Sequence, residues 1–398
     1  MPPAVAELLH LLVRWIHLIA GIMWIGNSML FNWLDRNLEP PAADKPRSLG
    51  TIWMVHSGGF YAVEKTHLAP GELPKTLHWF KWQNGITWLS GIGLLILVYY
   101  MGGAAIMSDG GAGARPELEL VAIGAGSIAL AWLAYDAVWR SPLGKNATLG
   151  LVLSVAIVVV MSAVQFRFLG GRAAYIHTGV MLGTIMTGNV WFVILPSQRE
   201  LIAATTEGRA QDPRIGYQAK QRSVHNNYIT FPLLFIMLSN HFPSTFGNKW
   251  NWIVLLVLGV GSALVRHLMN IRFTYVPWLV DVAVVASVTC GVALAFFAYP
   301  RGCATAPAAS TGKLSYADVA PIFQQRCVPC HSSVPTSTLF RTAPNGVLLE
   351  THSQVRALLD RIKLRAITLQ NMPLGNATQI TDEERATLAS WIEQEAKR

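Results

Sequence analysis

Cys327, Val328, Pro329, Cys330 and His331 place two thiols three residues apart, with an imidazole directly after the second. Thiols at this spacing add across the two vinyl groups of a haem, and the adjacent histidine becomes the proximal iron ligand. A zinc site would need a second such pair. The other cysteines are Cys290 and Cys303. A sixth iron ligand is expected from Met372, in the irregular stretch Asn371-Met372-Pro373-Leu374-Gly375, because the remaining methionines lie upstream in apolar runs. A Met/His pair raises the reduction potential toward electron transfer. His352 is the competing ligand.

These residues need a small domain around them. Pro300 to Gly312 is rich in Ala, Ser, Thr, Pro and Gly and reads as a linker at 301–312. The segment 313–398 is short but sufficient when a haem fills the core. Ser315 to Arg326 has helical spacing, with Val319, Ile322 and Phe323 on one side. Thr381-Asp382-Glu383-Glu384 has the pattern of a capping box at the start of a last helix carrying Leu388, Trp391 and Ile392. A class-I-like cytochrome c packs its first and last helices together, so Phe323 is expected against Trp391.

Upstream, residues 1–300 have a different character. Only 13% of the 398 residues are charged and 52% are hydrophobic, with a mean hydropathy of +0.37; an average soluble domain has about 25% charged residues. The chain therefore reads as a membrane protein. Its net charge of +9 does not point to nucleic acid, because the basic residues sit in loops between apolar runs. Eight runs suffice to span a bilayer, near 8–34, 78–101, 118–140, 147–168, 174–196, 223–242, 251–272 and 277–299. The first has no cleavage site behind it and reads as a retained helix. The expected fold is all-α: an eight-helix transmembrane bundle followed by the cytochrome c domain.

Eight crossings leave both termini on one side. Haem is attached to this motif outside the bacterial cytoplasm, which places both termini and the cytochrome domain in the periplasm of a multi-pass protein of the bacterial inner membrane. Loop charges agree. Arg36, Lys45, Arg47, Lys65, Lys75, Lys81, Arg140, Lys145 and the basic residues from Arg199 to Arg222 fall inside; Arg115, Arg167, Arg172 and Lys249 fall outside.

A tandem four-helix repeat is suggested by three matches in the same order. Gly21 to Asn27 resembles Gly183 to Asn189, with His17 and His177 before them; Asn84-Gly85-Ile86-Thr87 resembles Asn227-Tyr228-Ile229-Thr230; Gly124 to Ser127 resembles Gly259 to Ser262.

Polar residues within the apolar runs are candidate site residues, since ionisable groups there are costly. His10, Arg14 and His17 share a face of the first helix, and His177, His225, Arg266 and His267 lie in the fifth to seventh. For any one of them, an interhelical hydrogen bond is the simpler use. Together they predict a polar cavity between the halves. It would suit either a planar, hydrogen-bonding substrate or a haem b held by His17 and His177. In the long connection after the first helix, His56-Ser57-Gly58-Gly59-Phe60 and Glu64 could form a lid, with Glu64 as a general base, or an amphipathic segment at the membrane surface.

Eight apolar helices opening with Trp15-Ile16-His17-Leu18-Ile19-Ala20-Gly21-Ile22-Met23-Trp24, joined to Cys327-Val328-Pro329-Cys330-His331 and Asn371-Met372-Pro373, resemble the bacterial membrane-integral, cytochrome-c-linked urate oxidase family. The resemblance implies oxidation of urate to 5-hydroxyisourate in purine degradation, with electrons leaving through haem c instead of reducing dioxygen. It implies a downstream acceptor as well, either a soluble cytochrome c or a terminal oxidase. Cys327, Cys330, His331 and Met372 carry over from the family; no membrane-domain residue does. Two other readings fit the residues: a quinol- or haem-linked respiratory module, and a transporter or sensor with a fused cytochrome.

Overall fold

The computed structural model describes residues 3–41, 43, 45–102, 104–108, 115–247, 249–298, 314–337, 340 and 343–396. Cys303 and the expected linker 301–312 lie outside them.

The amino-terminal part is a helical bundle. Helix α1 (Pro3–Asn37) leads to strands β1 (Ser48–His56) and β2 (Gly59–Thr66), then to α2 (Trp82–Leu95), which ends in a π-turn at Ile96–Tyr100. After the short α3 (Ala104–Met107) come α4 (Glu117–Arg140), α5 (Ala147–Phe168) and α6 (Gly171–Asn189). Helix α6 continues through a π-turn at Val190–Ile194 into α7 (Leu195–Thr206). The bundle is completed by α8 (Pro213–Ser239), the short α9 (Pro243–Phe246), α10 (Asn251–Ile271) and α11 (Trp278–Ala298).

Helices therefore occur at all eight expected places. Among the described residues, six are long and apolar enough to cross a membrane: Leu8–Asn37, Glu117–Arg140, Ala147–Phe168, Gly171–Thr206, Asn251–Ile271 and Trp278–Phe297. This is compatible with a multi-pass membrane protein. The other two fall short for separate reasons. Regular α2 has 14 residues, and in α8 the polar residues Arg222, His225, Asn226 and Asn227 leave only a short apolar stretch after them.

The all-α expectation needs one correction, because residues 48–66 form an antiparallel hairpin. Ser57 and Gly58 form its two-residue turn, both with positive φ (51° and 76°). That is the backbone a tight hairpin requires, and Gly58 adopts its half of it without steric cost. Ile52 pairs with Val63 and Val55 with Phe60. Trp53, Val55 and Phe60 are exposed.

Helix α6 is the centre of the bundle. It packs on α2, α4, α5 and α8, and its buried residues run almost unbroken from Gly171 to Asn189. Helices α1 and α2 pair at one side, α8, α10 and α11 at the other. The repeated motifs have unequal surroundings. Ser127 and Ser262 both donate back to a glycine carbonyl, of Gly124 and Gly259. Asn84, however, bonds Thr187 and Trp191, whereas Asn227 accepts from Arg266 and Asn270.

The carboxy-terminal domain has its own core of Val319, Phe323, Leu349, Val355, Leu388, Trp391 and Ile392, among others. Its helices are α12 (Tyr316–Ile322), α13 (His352–Arg356), α14 (Leu359–Ile362) and α15 (Asp382–Glu395). Capping boxes open α12 (Ser315, Asp318), α13 (Thr351, Gln354) and α15 (Thr381, Glu384).

Candidate functional site

The Cys-x-x-Cys-His segment is held at the end of α12. A π-turn at Phe323–Cys327 carries the chain out of the helix, and the His331 amide then donates to the Cys327 carbonyl at 2.9 Å. Neither thiol is in a disulfide, and burial pushes the Cys327 thiol up to about 12. His331 donates from Nδ1 to the Val347 carbonyl at 3.0 Å. That bond fixes the ring and leaves the Nε2 lone pair facing away from the backbone, the usual arrangement of a metal-ligating histidine. Burial holds the His331 imidazole below its ordinary value, against the opposing effect of the Val347 bond. The ring is thus biased toward its neutral, ligating form.

Met372 is fixed through its backbone. Its amide donates to the Arg365 carbonyl at 3.2 Å, and Arg385 donates to the Met372 carbonyl at 2.9 Å and to that of Ala366. His352 is used otherwise. It stacks on Tyr316 at 4.3 Å between ring centres, with Nε2 3.6 Å from the Glu395 carboxylate. The expected helix contact is present: Phe323 and Trp391, both fully buried, meet edge to face at 5.9 Å.

The Met372 loop faces the bundle. Helix α3 packs on the 3-10 turn Leu374–Asn376. A Cβ placed on Gly247, just after α9, would lie 3.4 Å from the Asn371 amide group and 3.5 Å from Leu369. Beneath this junction, Arg172 at the start of α6 donates to Asn240 Oδ1 at 3.1 Å, and Tyr99 donates to the same oxygen at 3.4 Å. Next to Tyr99, Tyr100 meets His177 Nε2 at 3.2 Å, while His177 Nδ1 bonds the Ala173 carbonyl at 2.8 Å.

A second polar group lies toward the other end of the bundle. Arg222 of α8, 3% exposed, donates to Asp136 of α4 at 2.9 Å and to Asn189 of α6 at 3.1 Å. Its guanidinium covers the Tyr135 ring at 4.8 Å. Tyr135 joins His225 at 2.7 Å and Asn189 at 3.1 Å, and Asn189 also donates to Asn226. Beyond them, Arg266 donates to Asn227 at 2.9 Å and His267 meets Tyr228 at 2.7 Å.

The structure brings His225 into this network, and Arg266 of α10 bonds Asn227, the residue after Asn226. It places His177 against Tyr99 and Tyr100. His17 bonds the Thr87 carbonyl and Ser90 of α2 at 2.9 and 3.1 Å. Arg14 and His267 are exposed. Glu64 lies on the exposed face of the hairpin, 3.4 Å from Lys45. Its carboxyl is held below the usual range, chiefly by the Ser48 hydroxyl and further by Lys45, which is the wrong direction for a base acting near neutrality.

Around Arg222 and Arg266, where a polar cavity was expected, the side chains bond largely to one another. A groove of about 390 Å³ is apolar and opens between α1 and α2 beside Trp15, Met23, Trp82 and Ile86. Nor do the residues suit a haem b on His17 and His177. Both ring nitrogens of His177 are engaged, and a Cβ on Gly124 would already lie 2.6 Å from its Nε2. Among the described residues, no group of three or more His, Cys, Asp or Glu could hold a metal ion. Sequence reasoning did not select Asp136, Arg172 or Arg222, the charged residues at the centre of these clusters.

The fold and its clusters define a helical protein of membrane-spanning character, with a separately cored carboxy-terminal domain seated on the bundle. Residues 3–297 match the family described as urate oxidase, N-terminal, and the chain belongs to that family. No curated protein and no solved structure matches it.

Proposed function

We propose that the protein is a membrane-bound urate oxidase that passes electrons to a covalent haem c in its carboxy-terminal domain. The family, which covers the bundle, supports a urate-related oxidoreductase. The observation that carries the finer reading is the seating of the Met372 loop on the bundle through α3 and Gly247. An acceptor at that loop would stand directly above the helices of the urate oxidase family.

The residues fit the group. Cys327 and Cys330 supply two unbridged thiols, His331 an oriented imidazole, and Met372 a thioether in a loop strapped by Arg385. Adding water to urate and removing two electrons and two protons gives 5-hydroxyisourate. A haem held by Cys327, Cys330, His331 and Met372 would supply one-electron acceptor chemistry for that oxidation, with a soluble cytochrome c or a terminal oxidase as the onward acceptor. The chain's own part is to bind the urate anion, for which arginine forks are suited, and to accept protons, for which a histidine is suited. Eight crossings, with the carboxy-terminal domain on the periplasmic side of a bacterial inner membrane, complete the reading.

An anaerobic visible spectrum of the detergent-purified protein before and after urate tests it. Reduced c-type bands should grow as urate is lost, and a pyridine haemochrome should report haem c. A haem reduced by dithionite but not by urate would overturn the reading in favour of a quinol-linked module.

A further inference from the structure

Among the described residues, the hairpin of β1 and β2 is a sheet of two strands, and its faces differ. On one face Ile52 is buried and its cross-strand partner Val63 half-buried. On the other, the cross-strand pairs run from base to tip as Thr51 with Glu64, Trp53 with Ala62 and Val55 with Phe60. The base of this face is polar, with Glu64 3.4 Å from Lys45. Its tip is apolar: Trp53 is 66%, Val55 73% and Phe60 80% exposed. A two-stranded hairpin is marginal in water on its own, and a contiguous exposed apolar patch marks an interaction surface.

What covers the tip follows from where the hairpin is fixed. Lys65 reaches back to Asp35, near the end of α1, at 2.7 Å. Thr51 exchanges both backbone hydrogen bonds with Glu39, just past α1, at 2.9 and 3.2 Å. The apolar stretch Leu8–Asn37 of α1 has 30 residues, about 45 Å at 1.5 Å per residue. A bilayer with its headgroups is about 40–45 Å thick, so a spanning α1 ends at headgroup level. The strand from Thr51 to His56 then reaches roughly 17 Å, more than the roughly 5–7 Å depth of one headgroup layer. Exposed apolar surface also continues along α1 to Leu30 and Phe31, where Phe80 meets Phe31 edge to face at 5.1 Å.

We propose that the hairpin tip, formed by Trp53, Val55 and Phe60, docks into the boundary between lipid headgroups and acyl chains beside the end of α1, leaving Glu64 and Lys45 in water. Aromatic side chains favour that zone, and an apolar face seated there lies about 5–10 Å deep. The attachment is apolar rather than electrostatic, because the basic side chains around the hairpin are already paired: Lys45 with Glu64, Arg47 with Glu72 and Lys65 with Asp35. Docked in this way, the hairpin straps the long connection between α1 and α2 to the bilayer. Neither haem nor urate is needed for it.

The test uses the full-length protein, one chain per nanodisc, in phosphatidylcholine with or without lipids brominated near the acyl carbonyl. Trp53 emission is read as the difference between wild type and Trp53→Phe, and the tip is read independently from the emission gained in Phe60→Trp. Both signals should be blue-shifted, be lost to brominated lipid and resist acrylamide in the water. Neither should change with salt, or when phosphatidylglycerol replaces part of the phosphatidylcholine. Signals that acrylamide quenches and brominated lipid leaves intact would put the tip in water and overturn the proposal. Shielding from both quenchers would mean that protein covers the tip and would overturn it as well. So would insertion that needs phosphatidylglycerol and disappears in salt. The substituted side chains are exposed, so no packed core is disturbed. Val55→Ser combined with Phe60→Ser should uncover Trp53 to acrylamide, and an unchanged Trp53 signal there would overturn docking by the tip.

Discussion

Arg222 of α8 and Asp136 of α4 form an ion pair of 2.9 Å inside the bundle, with the arginine side chain 4% and the aspartate 17% exposed. Removing the aspartate strands the Arg222 charge, which in a buried setting costs about 3–5 kcal/mol, whereas removing the arginine leaves Asp136 paired with Arg140. Asp136→Leu should therefore lower the thermal midpoint in detergent sharply, and Arg222→Met combined with Asp136→Leu should recover part of the loss. A single variant that melts like the wild type would show that the pair does not support the bundle.

Trp391 is fully buried against Phe323 and close to Tyr316. Trp391→Ala should destabilise the carboxy-terminal domain by about 3–5 kcal/mol. Limited proteolysis of the full-length protein reads this out: cleavage should shift into 314–396 while the bundle stays protected. Equal protease resistance in variant and wild type would contradict that packing.

If the proposed haem c is bound, Met372→Ala should leave it attached, because its thioethers would be made by Cys327 and Cys330, and should lower the reduction potential on the order of 0.1 V. Potentiometric titration decides; an unchanged potential removes Met372 as the ligand. His352→Ala should leave the potential near that of the wild type, since the ring is stacked on Tyr316.

The Glu384 carboxyl is held below its ordinary range. Burial would raise it, but bonds from Arg326 and from the Thr381 amide outweigh that effect. A depressed carboxyl stabilises the folded state fully above the unfolded value, about 4.3, and the contribution is lost as pH falls through the folded value. Thermal midpoints below about pH 4.3 should therefore drop more steeply for the wild type than for Glu384→Gln. Parallel profiles would show that this carboxylate does not set the acid limb.

Some of this molecule was legible in its sequence because periodicity leaves fixed spacings. The contact of Phe323 with Trp391, foreseen from two amphipathic helices, is such a case. The hairpin was not, since Gly58-Gly59 suits a loose connection as well as a tight turn. Arg222 and Arg172 were read as loop charges because the apolar runs start later than the helices do: α8 begins at Pro213 and α6 at Gly171. Both charges fall in helical turns that the bundle partly or wholly covers. Their partners, Asp136 and Asn240, lie on other helices, and sequence spacing holds no record of that proximity.

The seating of α3 on the turn Leu374–Asn376 joins two parts of one chain, connected in sequence through the stretch between Ala298 and Leu314. Because both surfaces belong to one chain, each meets the other at an effective concentration that does not depend on dilution. The contact can therefore be weak as an association and still be occupied most of the time. Its formation is first order, so dilution does not separate the two surfaces, and a free copy of the carboxy-terminal domain would have to be supplied at comparable concentration to displace the tethered one.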